Sequence, residues 1–227
     1  MKREVVVFGG LGAGAMVVQS VRRLAAAGAA IEAAGVLNDQ LSIGTSISGA
    51  AVLGAFDSWR QLPDYVGLIA PLHKAKAMQA RVARILGLGV PLQRWIGVND
   101  PNAVAAEDAE IGVGSYLAPF SVVDTGARVG RHAGIWPAGQ IGHDCLTEDF
   151  VFVGRGAIVC GYCRIGIGAY VGAGAVVSDG LALGRFCVVG AGAVVVRDVP
   201  DHAIVAGRPA QIIGRLDSHD DPPAAPW

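Results

Sequence analysis

From Ala105 to Val195 the chain repeats every six residues. Stepping by six gives Ala105, Ile111, Leu117, Val123, Val129, Ile135, Ile141, Thr147, Val153, Val159, Ile165, Val171, Val177, Leu183, Val189 and Val195, fourteen of sixteen being Ile, Leu or Val. Four residues after each of the first fifteen comes a second column, from Ala109 and Ser115 to Cys187 and Ala193, in which thirteen are small. An unbroken period of six predicts a parallel β-helix, a triangular prism with three hexapeptides per coil. A β-sandwich would instead show turns at irregular spacing. The aliphatic phase fills the interior, and the small phase sits where the three faces converge and little volume remains. Residues eighteen apart then stack. With strands about 4.8 Å apart, residues 105–200 make a prism roughly 25 Å tall.

The same phase accounts for three of the four cysteines. Cys145, Cys163 and Cys187 fall on the small interior column, and Cys160 does not. Buried free cysteine packs as a small hydrophobe, so the chain reads as reduced, without a disulfide framework. The apolar run after Met-Lys-Arg-Glu is too short for a signal peptide, and no run reaches membrane-spanning length. These features predict a cytoplasmic protein with no membrane insertion. A net charge of −1 leaves no nucleic-acid footprint. The 52% hydrophobic and 16% charged content predicts faces covered by partner subunits.

Residues 1–97 do not follow the repeat. Glu4–Phe8 reads as a buried strand, Gly9–Gly14 as a turn, Met16 to about Ala27 as a helix, and Ile31–Leu37 as a second strand. Val66–Ile69 reads as a further strand and His73–Leu86 as a helix. The expected organisation is an α/β Rossmann-like domain over 1–97, a β-helix over 98–214, and a disordered tail over 215–227. Gly10, Gly12 and Gly14 shape a turn into a helix N-terminus, where backbone N–H groups and the helix dipole favour phosphate. Asn38 and Asp39 follow the second strand, at a suitable distance to meet such a ligand. A tight turn with no ligand explains the glycines almost as well. A nicotinamide cofactor lacks support, since no hydride-transfer apparatus is visible elsewhere.

Four stretches carry a family likeness: Gly9–Gly14, Gly35-Val-Leu-Asn-Asp39, Ile141-Gly-His-Asp-Cys145, and the run from Val195 to Ala210 that ends Ala-Gly-Arg-Pro-Ala. With them the chain, from about residue 4 to 214, resembles the bacterial sugar acetyltransferases that join a small nucleotide-sugar domain to a left-handed β-helix. These include N-acetyltransferases of nucleotide-linked 4-amino sugars and sialic-acid O-acetyltransferases. The resemblance implies acetyl-CoA as donor, a homotrimer, and active sites between neighbouring prisms. It implies His143 as general base, Asp144 as the acid that orients it, and the Gly161 N–H as a contact to the thioester carbonyl. Leu11 and Ala13 depart from the family's Gly-Gly-His-Gly turn, and Asn38 replaces the first of two aspartates. These departures bear on the acceptor more than on the chemistry.

The residues support that chemistry independently. Acyl transfer to an amine needs a base, oxyanion stabilisation and two reactants held together. His143 lies at an outward corner phase beside a carboxylate, and Gly161 follows one coil later. His132 is a rival, outward by phase but without an acidic neighbour. His73, His202 and His219 read as surface residues. Gly172, Ala173, Gly190 and Ala191 form a bare edge along which pantetheine can lie, or simply serve tight corners. Arg197 and Arg208 can meet coenzyme phosphates or be plain surface charges. Arg155, where later coils have alanine, has no assigned role. No metal is expected, since a zinc site needs three converging ligands and only His132 and His143 lie in the prism. The expected function is acetyl-CoA-dependent N-acetylation of a nucleotide-linked 4-amino sugar by direct attack on the thioester. O-acetylation of a sialic acid and a non-catalytic nucleotide-sugar scaffold are the alternatives.

Overall fold

The computed structural model describes residues 2–223. It opens with a five-stranded sheet. Strand β1 (Arg3–Phe8) lies between β2 (Ile31–Leu37) and β5 (Gly67–Ile69), both parallel to it. Strand β4 (Ala50–Gly54) extends the sheet beyond β2, and the short β3 (Ser46–Ile47) pairs antiparallel with β4. Helix α1 (Ala13–Ala26) crosses from β1 to β2, burying Val17, Val18 and Val21 against the sheet. Helix α2 (Met78–Gly87) begins several residues later than the sequence suggests, after a short 3₁₀ turn at Ala75–Ala77.

The six-residue repeat then builds the expected parallel β-helix from two-residue strands. One face stacks Val98–Asn99, Tyr116–Leu117, Gly134–Ile135, Phe152–Val153, Tyr170–Val171 and Val188–Val189. The second carries Val104–Ala105 up to Val194–Val195, and the third Glu110–Ile111 up to Ala182–Leu183. Each rung pairs in parallel with the rung eighteen residues on. The interior is the expected column of Val, Ile and Leu with Ala and Cys between them. Only at the first rung, with no coil beneath, is the aliphatic-phase residue Ala105 exposed. Strands Ala203–Gly207 and Ala210–Arg215 close the top as a hairpin on the first face. All four cysteines are free, and Cys145, Cys163 and Cys187 are buried.

The α/β unit sits on the first face, and the two share their cores. Tyr116 and Ala118 pack with Val5, Val17 and Ile69. Phe150, Phe152 and Phe186 pack with Phe8, Trp59, Met78 and Trp95. Polar contacts reinforce the junction: Ser20 Oγ bonds Tyr116 Oη at 2.8 Å, and Arg23 pairs with the buried Asp100 at 2.6 Å.

The junction corrects two sequence expectations. His132 faces outward by phase, but the α/β unit covers it, so it is 1% exposed between Trp95 and Phe150. His73 is half-buried rather than a surface residue, its Nε2 3.0 Å from the His132 carbonyl. Burial lowers both pKa values from 6.5, His73 to about 4 and His132 to about 3. His202 is also largely covered and meets Asp221 at 3.4 Å.

The tail, expected to be disordered from 215, is anchored through Asp221. Gln79 donates to the Asp217 carbonyl and to Asp221, and Arg185 pairs with Asp221 at 3.1 Å. Residues 224–227, part of the same expectation, lie outside the described residues. Among the described residues no helix is long and apolar enough to cross a membrane, and no cluster of three His, Cys, Asp or Glu side chains has the spacing to hold a metal.

Candidate active site

The three prism edges differ in what they carry. The edge between the third and first faces is packed against the α/β unit through His132, Phe150 and Phe186. The edge between the first and second faces carries Pro137, Arg155, Ala173 and Ala191. The edge between the second and third faces carries Thr125, His143, Gly161 and Asp179. In a triangular prism this last edge is the vertex opposite the face that holds the α/β unit. His143 therefore projects on the far side of the prism from the glycine turn of its own chain.

The His143 edge is built by the eighteen-residue stack. Its corner residue Asp144 adopts φ +55, a left-handed conformation that aspartate tolerates better than most residues. His143 Nδ1 lies 3.0 Å from Asp144 Oδ2. Because a carboxylate only accepts, Nδ1 carries the proton and Nε2 presents its lone pair. The ring lies over Gly161: a Cβ there would stand 2.6 Å from His143 Nε2. Below, a Cβ at Gly126 would stand 2.7 Å from Asp144 Oδ1. Two glycines thus leave room for the pair. His143 and Asp144 are 45% and 50% exposed, so a ligand reaches Nε2 without any rearrangement of the core.

Two neighbours were not among the sequence candidates. The Tyr162 ring meets the imidazole edge-on at 4.8 Å. Asp179 Oδ1 accepts the Gly161 N–H at 3.0 Å. That bond engages the same N–H that is expected to meet a thioester carbonyl. Asp179 stands eighteen residues after Gly161, so the spacing that placed Gly161 beside His143 also pointed to it.

The expected coenzyme residues lie along a different edge. The N–H groups of Gly172 and Gly190 donate to the carbonyls of Val189 and Val205 at 2.8 and 2.7 Å. They belong to the ladder and do not offer bonds to pantetheine. A Cβ at Gly172 would stand 2.6 Å from the Ala191 nitrogen, so close stacking of coils accounts for this glycine. Ala173 and Ala191 are exposed at the same edge. Arg208 reaches its top, where Nε donates to the Gly192 carbonyl at 2.7 Å.

The third group of candidates surrounds the glycine turn. Gly12 caps α1 with no side-chain hydrogen bond, and the first turn holds no acidic residue. Gly9 and Gly14 pack backbone to backbone, a Cβ at Gly14 falling 3.1 Å from the Gly9 carbonyl carbon. Asn38 braces the turn by donating to the Gly9 carbonyl at 2.7 Å, so space beside Gly10 is also limited. Asp39 accepts from the Phe56 N–H and from Arg84, at 2.8 and 3.0 Å. Between the turn and the prism lies a cleft of about 310 Å³ lined by Ala13, His73, Trp136, Phe152, Arg155 and Tyr170, among others. A larger groove of about 960 Å³ on the third face, lined by residues from Leu146 to Asp201, includes neither His143 nor the glycine turn.

No family model and no curated protein matches the chain. Solved structures do. The acetyltransferase domain of PglB from Neisseria gonorrhoeae, in complex with acetyl coenzyme A, is 28% identical with a TM-score of 0.81, over 94% of this chain and 100% of that one. WeeI from Acinetobacter baumannii is 28% identical with a TM-score of 0.78, over 93% and 100%. A histidine-to-asparagine variant of perosamine N-acetyltransferase from Caulobacter crescentus, in complex with CoA and GDP-perosamine, shares the fold at 24% identity and a TM-score of 0.79, over 92% and 96%. Over nearly its whole length the chain thus resembles the bacterial sugar N-acetyltransferases built on a left-handed β-helix, and it is an acyltransferase.

Proposed function

We propose that the chain is an acetyl-CoA-dependent N-acetyltransferase acting on a nucleotide-linked 4-amino sugar. The observation that carries this reading is the His143–Asp144 pair, open to solvent above Gly161, in a chain that shares its fold end to end with an acetyltransferase domain bound to acetyl coenzyme A. His143 Nε2 takes the proton of the sugar amine as its nitrogen bonds to the thioester carbonyl carbon. The tetrahedral intermediate collapses to the amide, the carbon–sulfur bond breaks, and the coenzyme leaves as thiolate to be reprotonated. Asp144 holds the ring in the tautomer this requires and stabilises the imidazolium that forms. Gly161 supplies space for the ring, and its N–H reaches the thioester oxygen only by leaving Asp179.

The α/β unit serves in this reading as the Rossmann-like nucleotide-sugar domain. Gly10, Gly12 and Gly14 receive the diphosphate, and Asn38 and Asp39 stand at the crevice beyond the strand ends. Ala173, Ala191 and Arg208 border the coenzyme, with Gly172 and Gly190 giving it a bare edge. Because His143 lies at the vertex opposite this unit, the acceptor held by one chain meets the histidine of another, and the working form is a homotrimer. The second face supports this assembly: its outward residues include Val104, Val122, Ile158, Val176 and Val194, none of them fully covered in the single chain.

The test is thiol release from acetyl-CoA with UDP-, GDP- and dTDP-linked 4-amino sugars and with free sialic acid. Release with a nucleotide amino sugar, lost in His143→Ala while coenzyme A still binds, is the expected result. Release with sialic acid alone overturns N-acetylation in favour of O-acetylation. Unchanged turnover in His143→Ala removes the base.

A further inference from the structure

The edge column Pro119, Pro137, Arg155, Ala173, Ala191 contains one charged residue, and nothing in the six-residue repeat requires it. Arg155 is exposed at the mouth of the cleft between the glycine turn and the prism. Its guanidinium stands 5.4 Å from the Trp136 ring centroid and bonds Met16 Sδ at 3.1 Å. It makes no ion pair among the described residues. A second cleft of about 360 Å³, lined by Ala15, Met16, Gln19, Arg23, Ser48, Pro119 and Pro137, shares Arg155 as a wall. Neither lining contains an aspartate or glutamate. Arg23, the other cation there, is already paired with Asp100.

A guanidinium resting on an aromatic face, with one Nη2–H given to a thioether, keeps its remaining N–H groups for recognition of phosphate. Ala13, Ala15 and Met16, from the first turn of α1, line the same clefts. We infer that Arg155 pairs with the diphosphate of the nucleotide-linked acceptor, and so lets the prism of a chain grip the ligand that the α/β unit of that chain holds. The inference rests on the nucleotide-sugar reading above and adds to it a specificity residue, one that distinguishes a diphosphate-linked acceptor from a free sugar. Coenzyme A also carries a diphosphate. The acceptor is favoured because residues from the first turn of α1 line both clefts around Arg155, whereas Ala173, placed beside the coenzyme, lines only one.

The experiment is calorimetric binding of UDP, GDP, dTDP and coenzyme A to the full chain, its Arg155→Ala and Arg155→Lys variants, with thermal melts as a fold control. Loss of one charge-assisted pair predicts a rise in Kd for the bound nucleoside diphosphate of roughly ten- to a hundred-fold in Arg155→Ala. Arg155→Lys is expected to recover part of that loss, and coenzyme A affinity to stay unchanged. An unchanged nucleoside-diphosphate Kd overturns the inference, as does failure of the native chain to bind any of the three. A loss confined to coenzyme A, or equal for both ligands, assigns Arg155 to the donor or to the fold and also overturns it. Binding is read without turnover, so an inactive chain that binds a nucleoside diphosphate through Arg155 would defeat the acetyltransferase reading and leave this one standing.

Discussion

His143 owes its orientation to what is missing beneath and above it. The imidazole occupies the space a Cβ at Gly161 would take, and Asp144 occupies that at Gly126. Substituting Gly161 by alanine therefore pushes a methyl group against the face of the ring while leaving the interior column untouched. The expected result is a fall in kcat approaching the roughly 10²–10⁴-fold contribution of a positioned base, with coenzyme A affinity and melting temperature held. Steady-state kinetics beside a melt reads this directly, and a variant with native kcat would show that the ring tolerates displacement. This part of the site was legible in the sequence, because residues eighteen apart must stack once the period is six. The same arithmetic reached Gly161 but was not carried one coil further to Asp179. It also could not reveal Tyr162, whose edge-on contact depends on a corner geometry that spacing alone does not give.

At the scale of elements, the third-to-first edge shows where periodicity ran out. Period tells which way a side chain points but not what then covers it. His132 points outward, yet it is sealed by Trp95 and the α/β unit. The β3–β4 hairpin was missed for a different reason: β3 is only two residues long. Its signal was the Ser48-Gly49 turn, both residues with positive φ, as a two-residue type I′ connection requires. His132 and His73 carry a consequence for acid stability. In the unfolded chain they titrate near the ordinary histidine value of about 6.5. In the fold, burial holds His73 neutral to about 4 and His132 to about 3, where the charge of His73 also contributes. Above the unfolded value both states are neutral and pH has no effect through these groups. Below it the unfolded chain binds protons that the fold refuses, so stability falls as pH drops toward the folded values. Between pH 7 and pH 5 the loss is about 2 kcal/mol per ring. Denaturant midpoints should drop over that interval in the native chain and drop less in His132→Phe, which keeps the stack on Phe150. Parallel curves for the two proteins would place the acid sensitivity elsewhere.

At the scale of the whole molecule, one chain holds the parts of its proposed site on opposite sides. The α/β unit, with its glycine turn and Arg155 cleft, covers the first face, while His143 stands at the vertex where the other two faces meet. The apolar second face joins the two edges that carry these groups. Burying it against like surfaces would remove aliphatic area from water at about 25 cal/mol per Å² and bring the acceptor edge of one chain to the histidine edge of the next. Closed rotational symmetry makes each such contact identical, so a ring of chains has as many sites as subunits. The prediction is a solution mass three times the 23.2 kDa of the chain and a complementation test with a defined outcome. His143→Ala lacks the base, and Ala13→Trp fills the cleft beside the glycine turn. Each is expected to be inactive alone. Co-expressed in equal amounts, they form mixed rings in which about a quarter of sites, by random assortment around the ring, draw an open cleft from one chain and a histidine from its neighbour. Activity should return to that fraction of the native value. If the cleft and the base served each other within a single chain, every site would keep one defect, and the mixture would stay as inactive as its components.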